Sequence, residues 1–167
     1  HYPDVRCEAL REAISRFEQV NMEEILCGNG AAELFFAAVQ AVWPQKALVI
    51  APSFSEYEEA LRSVGAEVEY YYLCEEDNFQ IREDYVDKLS EEIDMIFLCN
   101  PNNPTGQTID RDRLIKILDR CKKQNIVVIL DECFLEFLDE PNRYEMSDLR
   151  GEYPNLLIIK AFTKIFS

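Results

Sequence analysis

Ile126-Val127-Val128-Ile129-Leu130-Asp131-Glu132 is an apolar, β-branched run that stops abruptly at two carboxylates. A run this short and continuous reads as a strand buried on both faces of a parallel sheet, and such sheets gather ligands at the carboxyl ends of their strands. Asp131 therefore falls where chemistry collects. Two other runs end in the same polar way. Met95 to Cys99 leads into Asn100-Pro101-Asn102-Asn103-Pro104-Thr105-Gly106, and Leu156 to Ile159 leads into Ala161-Phe162-Thr163-Lys164. Three strand ends thus offer an amide, a carboxylate and an amine.

Outward from these runs, helical and strand periods alternate. Val5 to Phe17 carries the apolar stripe of an amphipathic helix, with Pro3 and Asp4 suiting its start. Ala31 to Trp43 is a second helix, opening directly after Gly28-Asn29-Gly30. Ala47 to Ala51 reads as a strand, Glu56 to Val64 as a helix ended by Gly65, and Glu67 to Leu73 as another strand. Asp84 to Ser90 is a short helix, and Asp110 to Gln124 is a longer one with Asp110 as its N-cap. The order is that of βαβ units, so the chain predicts an α/β fold with a parallel or mostly parallel sheet covered by helices.

With 167 residues, 48% of them hydrophobic and 11% aromatic, the chain is long and apolar enough for one compact domain. A formal charge of −15 argues against nucleic acid or an anionic membrane as partner, because either would be repelled. No run approaches the ~20 apolar residues of a membrane span, and no signal-peptide pattern opens the chain. Cys7, Cys27, Cys74, Cys99, Cys121 and Cys133 are too far apart in sequence for a CxxC pair and read as reduced thiols, which points to a cytoplasmic location. The only histidine is His1, so a Ser-His-Asp triad or a His-rich metal site is not expected. The opening His1-Tyr2-Pro3-Asp4 without an initiator Met, and the stop at Ile165-Phe166-Ser167 just after Lys164, read as a chain cut from something longer.

Gly28-Asn29-Gly30-Ala31-Ala32-Glu33 places small residues at a helix amino terminus, where free amides and the helix dipole favour an anion such as phosphate. A plain turn uses the same residues, and the pattern is neither a Walker A loop nor a dinucleotide fingerprint. Asp131-Glu132 could also be a magnesium-binding carboxylate pair of an ATPase, but no GxxxxGK[ST] accompanies it. The stretch Asn100 to Gly106 is more specific. Its prolines fix the backbone around Asn102 and Asn103 and its glycine closes the turn, holding an amide rigidly at a strand end.

Asn103-Pro104-Thr105-Gly106, then Asp131-Glu132 after a strand, then Thr163-Lys164 after a further strand, resembles the large domain of fold-type I pyridoxal-phosphate enzymes of aminotransferase class I and II. The resemblance spans essentially the whole chain and implies a three-layer α/β/α sandwich around a mostly parallel sheet. Tyr2-Pro3-Asp4 and Gly28-Asn29-Gly30 resemble the histidinol-phosphate aminotransferase and threonine-phosphate decarboxylase branch. The resemblance implies pyridoxal 5'-phosphate as cofactor and a set of roles. Lys164 matches the residue whose amine forms the internal aldimine and later carries the α-carbon proton. Asp131 matches the partner of the pyridine nitrogen, keeping it protonated so that the ring acts as an electron sink. Asn103 matches the donor to the ring oxygen, and Phe54 the aromatic stacked on the ring. Ala31 and Ala32 amides and the Thr163 hydroxyl match phosphate contacts, while Tyr2 matches a tyrosine reaching the cofactor phosphate of a neighbouring subunit, which implies a homodimer.

Two departures qualify the match. Phe134 stands three positions after Asp131, where many aminotransferases carry a tyrosine, which tilts the resemblance toward the decarboxylase side. The family's arginines for the cofactor phosphate and substrate carboxylate have no counterpart through Ser167. Residues 1–167 are therefore expected to be a cofactor-binding large domain, truncated after Lys164 and without its small domain. The expected activity is a pyridoxal-phosphate-dependent aminotransferase acting on an amino acid, a phosphorylated one by preference. Threonine-phosphate decarboxylation, or a non-catalytic sensor domain of aminotransferase type, stands as the alternative.

Overall fold

A computed structural model of the chain describes residues 4–166. Its strands are β1 (Lys46–Ala51), β2 (Glu67–Tyr72), β3 (Met95–Cys99), β4 (Val127–Asp131) and β5 (Leu156–Ile159). Its helices are α1 (Glu8–Glu18), α2 (Ala31–Val42), α3 (Glu56–Ser63), α4 (Arg111–Gln124) and the short α5 (Thr163–Phe166). The strands form one sheet in the order β2-β1-β3-β4-β5, and every pair is parallel. The described sheet is thus wholly parallel, in line with the parallel or mostly parallel sheet expected.

Alternation along each strand divides the core in two. Ala47, Val49, Met95, Phe97, Cys99 and Ile129 pack against Phe35 and Val39 of α2 and Tyr57, Ala60 and Leu61 of α3. Their strand neighbours Leu48, Ile50, Ile96, Leu98, Val128 and Leu130 face Leu114, Ile117, Leu118 and Cys121 of α4, which recur at helical spacing. The result is a three-layer α/β/α sandwich. From β1 the chain steps outward to β2 through α3, then crosses back past β1 to β3 and continues through α4 to β4. Right-handed crossovers require the helices to change faces when the direction of travel reverses, and they do. The reversal leaves a crevice between the carboxyl ends of β1 and β3, the switch point at which open parallel sheets take ligands.

Two elements differ from the sequence reading by more than a residue. α1 starts at Glu8 rather than Val5, because the Asp4 carboxylate accepts the Arg6 N–H (3.0 Å) and the Glu8 N–H (2.6 Å) and turns the chain first. Glu83–Lys88 forms a 3₁₀ helix in place of the helix expected from Asp84 to Ser90, with Tyr85 and Leu89 buried on the α4 face of the sheet. No helix among the described residues is long and apolar enough to cross a membrane.

Asp110 caps α4 as expected, accepting the Arg113 N–H at 2.9 Å. Asp110→Ala should lower the unfolding free energy by about 1 kcal/mol. Urea unfolding followed by circular dichroism measures the loss, and an unchanged midpoint would show the cap to be dispensable.

Candidate active site

The register brings the ends of three strands level: Cys99 lies opposite Asp131, and Asp131 opposite Ile159. The segments leaving these strands therefore converge on one rim of the sheet. After β3, two asparagines are spent on the loop itself. Asn100 is fully buried, accepts the Ile109 N–H at 2.8 Å and closes the loop at its base. Asn102 donates to the Pro52 carbonyl (3.1 Å) and the Thr105 hydroxyl (2.9 Å), tying this loop to the end of β1, while Gly106 makes the turn at φ 71°. Asn103, half-buried, keeps its side-chain amide uncommitted among the described residues. A loop that spends two amides on its own geometry presents the third in a fixed position.

After β4, alternation sends the two carboxylates to opposite faces. Asp131, 5% exposed, lies on the α2–α3 side, where Oδ2 accepts the Tyr57 hydroxyl at 2.5 Å and Oδ1 accepts the Cys133 N–H at 2.9 Å. Glu132, 2% exposed, accepts the Met146 N–H at 3.2 Å on the α4 side, and its other oxygen has no partner among the described residues. Burial pushes the Glu132 carboxyl up to about 8 despite the pull of the nearby Lys160 ammonium, so below that pH it is held neutral. The pair Asp131-Glu132 does not converge on a common ligand.

After β5 come two lysines in contrasting states. Lys160 is bridged by Glu18 of α1 (2.6 Å) and by Glu145 (2.7 Å), which fixes its ammonium between two carboxylates. Lys164, exposed on α5, makes no ion pair among the described residues; its Nζ lies 5.3 Å from the centroid of the Phe134 ring. Its charge is felt at Cys133, two residues beyond Asp131, and opposes the upward push that burial gives that thiol.

The opposite wall is aromatic. Phe54, in the turn between β1 and α3, is half-buried and meets Phe35 and Tyr57 edge-on at 6.4 and 5.7 Å. Next to it, α2 begins behind Gly30, whose φ of 84° suits glycine, while a side chain on Gly28 would meet Leu34 at 2.9 Å. The first-turn amides of Ala31 and Ala32 lack intrahelical acceptors. Gly28, Gly30, Ala31 and Thr163 line one cavity of ≈ 370 Å³, so the helix start and the Thr163 hydroxyl side of the rim face shared space. The structure thus gathers Phe54 and Asp131 through Tyr57, and Ala31 with Thr163 through this cavity. Tyr2 lies outside the described residues.

Sequence reasoning passed over Tyr57. Its signal was present: a tyrosine in the buried stripe Tyr57, Ala60, Leu61 of a short helix needs a partner for its hydroxyl.

Residues 1–167 match, from end to end, the family Aminotransferase class I and II. The chain belongs to that family. It is 36% identical to threonine-phosphate decarboxylase of Salmonella typhimurium over 166 residues, which is 99% of this chain and 45% of that protein. It is 34% identical over 169 residues to histidinol-phosphate aminotransferase of Ruminiclostridium cellulolyticum, covering 99% of this chain and 46% of that one. The crystal structure of histidinol-phosphate aminotransferase from Clostridium acetobutylicum superposes with a TM-score of 0.87 at 32% identity, over 100% of this chain and 48% of that chain. The chain spans about half the length of the curated relatives it matches.

An unfolded chain releases the Glu132 proton near 4.5, whereas the folded protein holds it to about 8. Folding therefore takes up a proton between those values, and this carboxyl makes stability fall as pH rises through the window. Glu132→Gln keeps an acceptor for the Met146 N–H but cannot ionise. Melting temperatures measured across the window should fall less steeply with pH in the variant than in the wild type; parallel curves would show that Glu132 does not titrate with folding.

Proposed function

We propose that the full-length protein is a pyridoxal-phosphate-dependent enzyme of the aminotransferase class that acts on a phosphorylated amino acid. The single observation that carries this reading is the arrangement at the sheet rim: a buried carboxylate, Asp131, and a lysine without an ion pair among the described residues, Lys164, come after adjoining strands whose ends are level. The residues present fit the cofactor. Asp131 is a buried anion suited to a pyridinium nitrogen, Asn103 is an uncommitted amide, and the α2 start offers amides to a phosphate beside a glycine pair with little bulk.

When bound, pyridoxal phosphate supplies an aldehyde for the substrate amine and a ring that accepts the electron pair released at the α-carbon. Lys164 supplies the amine to which the cofactor attaches, and afterwards carries the proton at the α-carbon. Asp131 would hold a proton at the ring nitrogen, which a carboxylate there favours. Asn103 would donate to the ring oxygen, and Phe54 would hold the ring face. The amides of Ala31 and Ala32 and the Thr163 hydroxyl bind the phosphate, with Tyr2 completing the site of a neighbouring subunit in a homodimer. The protein works in the cytoplasm. The relatives' names, which specify histidinol phosphate and threonine phosphate, support a phosphorylated substrate.

Decarboxylation of threonine phosphate is the second reading, favoured by Phe134 under Lys164 and by the Salmonella relative. Carbon dioxide release from threonine phosphate, assayed beside amino transfer from histidinol phosphate and from glutamate, separates the two. Rapid amino transfer without carbon dioxide would remove the decarboxylase.

Borohydride reduction of the full-length protein and subsequent peptide mapping should place the pyridoxyl group on Lys164. Finding it on Lys160 would overturn the assignment, although the two carboxylates on Lys160 leave it a poor nucleophile. Asp131→Ala should retain cofactor attachment and lose turnover on the order of a hundredfold or more; near-normal turnover would reduce Asp131 to a strand-end residue.

A further inference from the structure

The Tyr57 hydroxyl donates to Asp131 from the core rather than from the rim. Its ring is 1% exposed, stacked on Phe97 with centroids 4.8 Å apart and planes 17° apart, and it meets Phe35 edge-on at 5.0 Å. Packed on two sides and one residue into α3, the ring has one orientation, and so has its hydroxyl. Asp131 in turn holds one donor on each oxygen, Tyr57 on Oδ2 and the Cys133 N–H on Oδ1. Two donors on two oxygens fix the plane of the carboxylate, which a single donor would leave free to swing about its last torsion.

The other side chain in reach of Asp131, the Cys133 thiol, is a much weaker donor than a phenol. Asp131 has no ion-pair partner among the described residues, and the adjacent thiols of Cys99 and Cys133 are buried and held neutral; burial pushes Cys99 up to about 12. Burial, and then the charge of Asp131, push the Tyr57 phenol far above its usual range, so it remains a donor at every working pH. A carboxylate sealed in an apolar site without a cation relies on such donors for its charge.

We propose that Tyr57 is a positioning residue: through its hydrogen bond it fixes the carboxylate of Asp131 and sets how strongly that carboxylate holds a proton at the pyridine nitrogen. This rests on the functional reading above. Because Phe54 precedes Tyr57 by one helical turn and touches its ring at 5.7 Å, the same side chain also ties the ring-stacking aromatic to the carboxylate. Removing the hydroxyl strips Oδ2 of its donor and lets the carboxylate rotate, so that it would hold a proton at the ring nitrogen less well.

The test uses the full-length protein loaded with pyridoxal phosphate labelled with ¹⁵N in the ring. Tyr57→Phe should move the ring ¹⁵N resonance toward that of unprotonated pyridine, weaken cofactor binding about tenfold, and lower kcat with KM little changed. Incorporating 3-fluorotyrosine at position 57, a stronger donor of nearly the same shape, should move the resonance the opposite way; it also keeps the test decisive if Tyr57→Phe folds poorly. Phe35→Leu loosens one side of the aromatic packing but keeps the hydroxyl and the Phe97 stack, and should move the resonance far less than Tyr57→Phe. An unchanged resonance in Tyr57→Phe and the fluorinated protein, with a normal pyridoxyl group on Lys164, overturns the role of Tyr57 alone, as does an equal shift in Phe35→Leu. A wild-type protein that carries no pyridoxyl group on Lys164 overturns the functional reading and this proposal with it.

Discussion

Burying a carboxylate at the end of a central strand obliges the fold to bring donors to it, and the layout of this domain answers that demand at Asp131. An isolated charge in an apolar interior costs several kcal/mol, and only hydrogen bonds or an opposite charge offset it. Here the donors are a backbone amide two residues on and a phenol from α3. The phenol is in place only because α3 packs across the sheet face that Asp131 shares with Phe97 and Ile129. Position of helix, face of strand and state of carboxylate are therefore one problem with one solution.

The same alternation that delivers Asp131 to the aromatic face delivers Glu132 to the other, where burial makes it keep its proton to about 8. Two adjacent carboxylates are thereby given opposite characters by the strand on which they sit. Their separation argues against a shared metal. The lysines divide in a parallel manner. Lys160 is consumed in holding α1 and the 144–147 segment to the end of β5, while Lys164, one turn later, lies over the ring of Phe134 with no ion pair among the described residues. Structural and chemical duties are thus carried by different members of each pair.

The loop after β3 obeys the same economy. Asn100 and Asn102 satisfy backbone groups that a bend of this tightness would otherwise leave unpaired, and the Asn102 amide reaches across to Pro52 at the end of β1. That bond spans the switch point, so the two lips of the crevice are tied together beneath the place where Asn103 and Phe54 stand. Rigidity at the rim is what a site built on strand ends and loops requires if its groups are to act without reorganisation.

Local order was legible in the sequence. The apolar runs at Met95, Val127 and Leu156, the stripe of α4 and its Asp110 cap, and the glycines before α2 all depend on neighbours within a few residues, and period and turn chemistry reveal them. The βαβ order and the three polar strand ends came from the same local signals, as did the family resemblance. Tertiary structure alone decided which long-range partners meet. Tyr57 reaches Asp131 across 74 residues and Glu18 reaches Lys160 across 142, separations over which no sequence period acts. Those pairings depend on the hand of the crossovers and on the register of β3, β4 and β5, which place a helix over one particular face and bring the strand ends level. A sequence shows that a buried tyrosine needs an acceptor and a terminal lysine needs a role; only the packed sheet shows which acceptor is in reach and which lysine is left free.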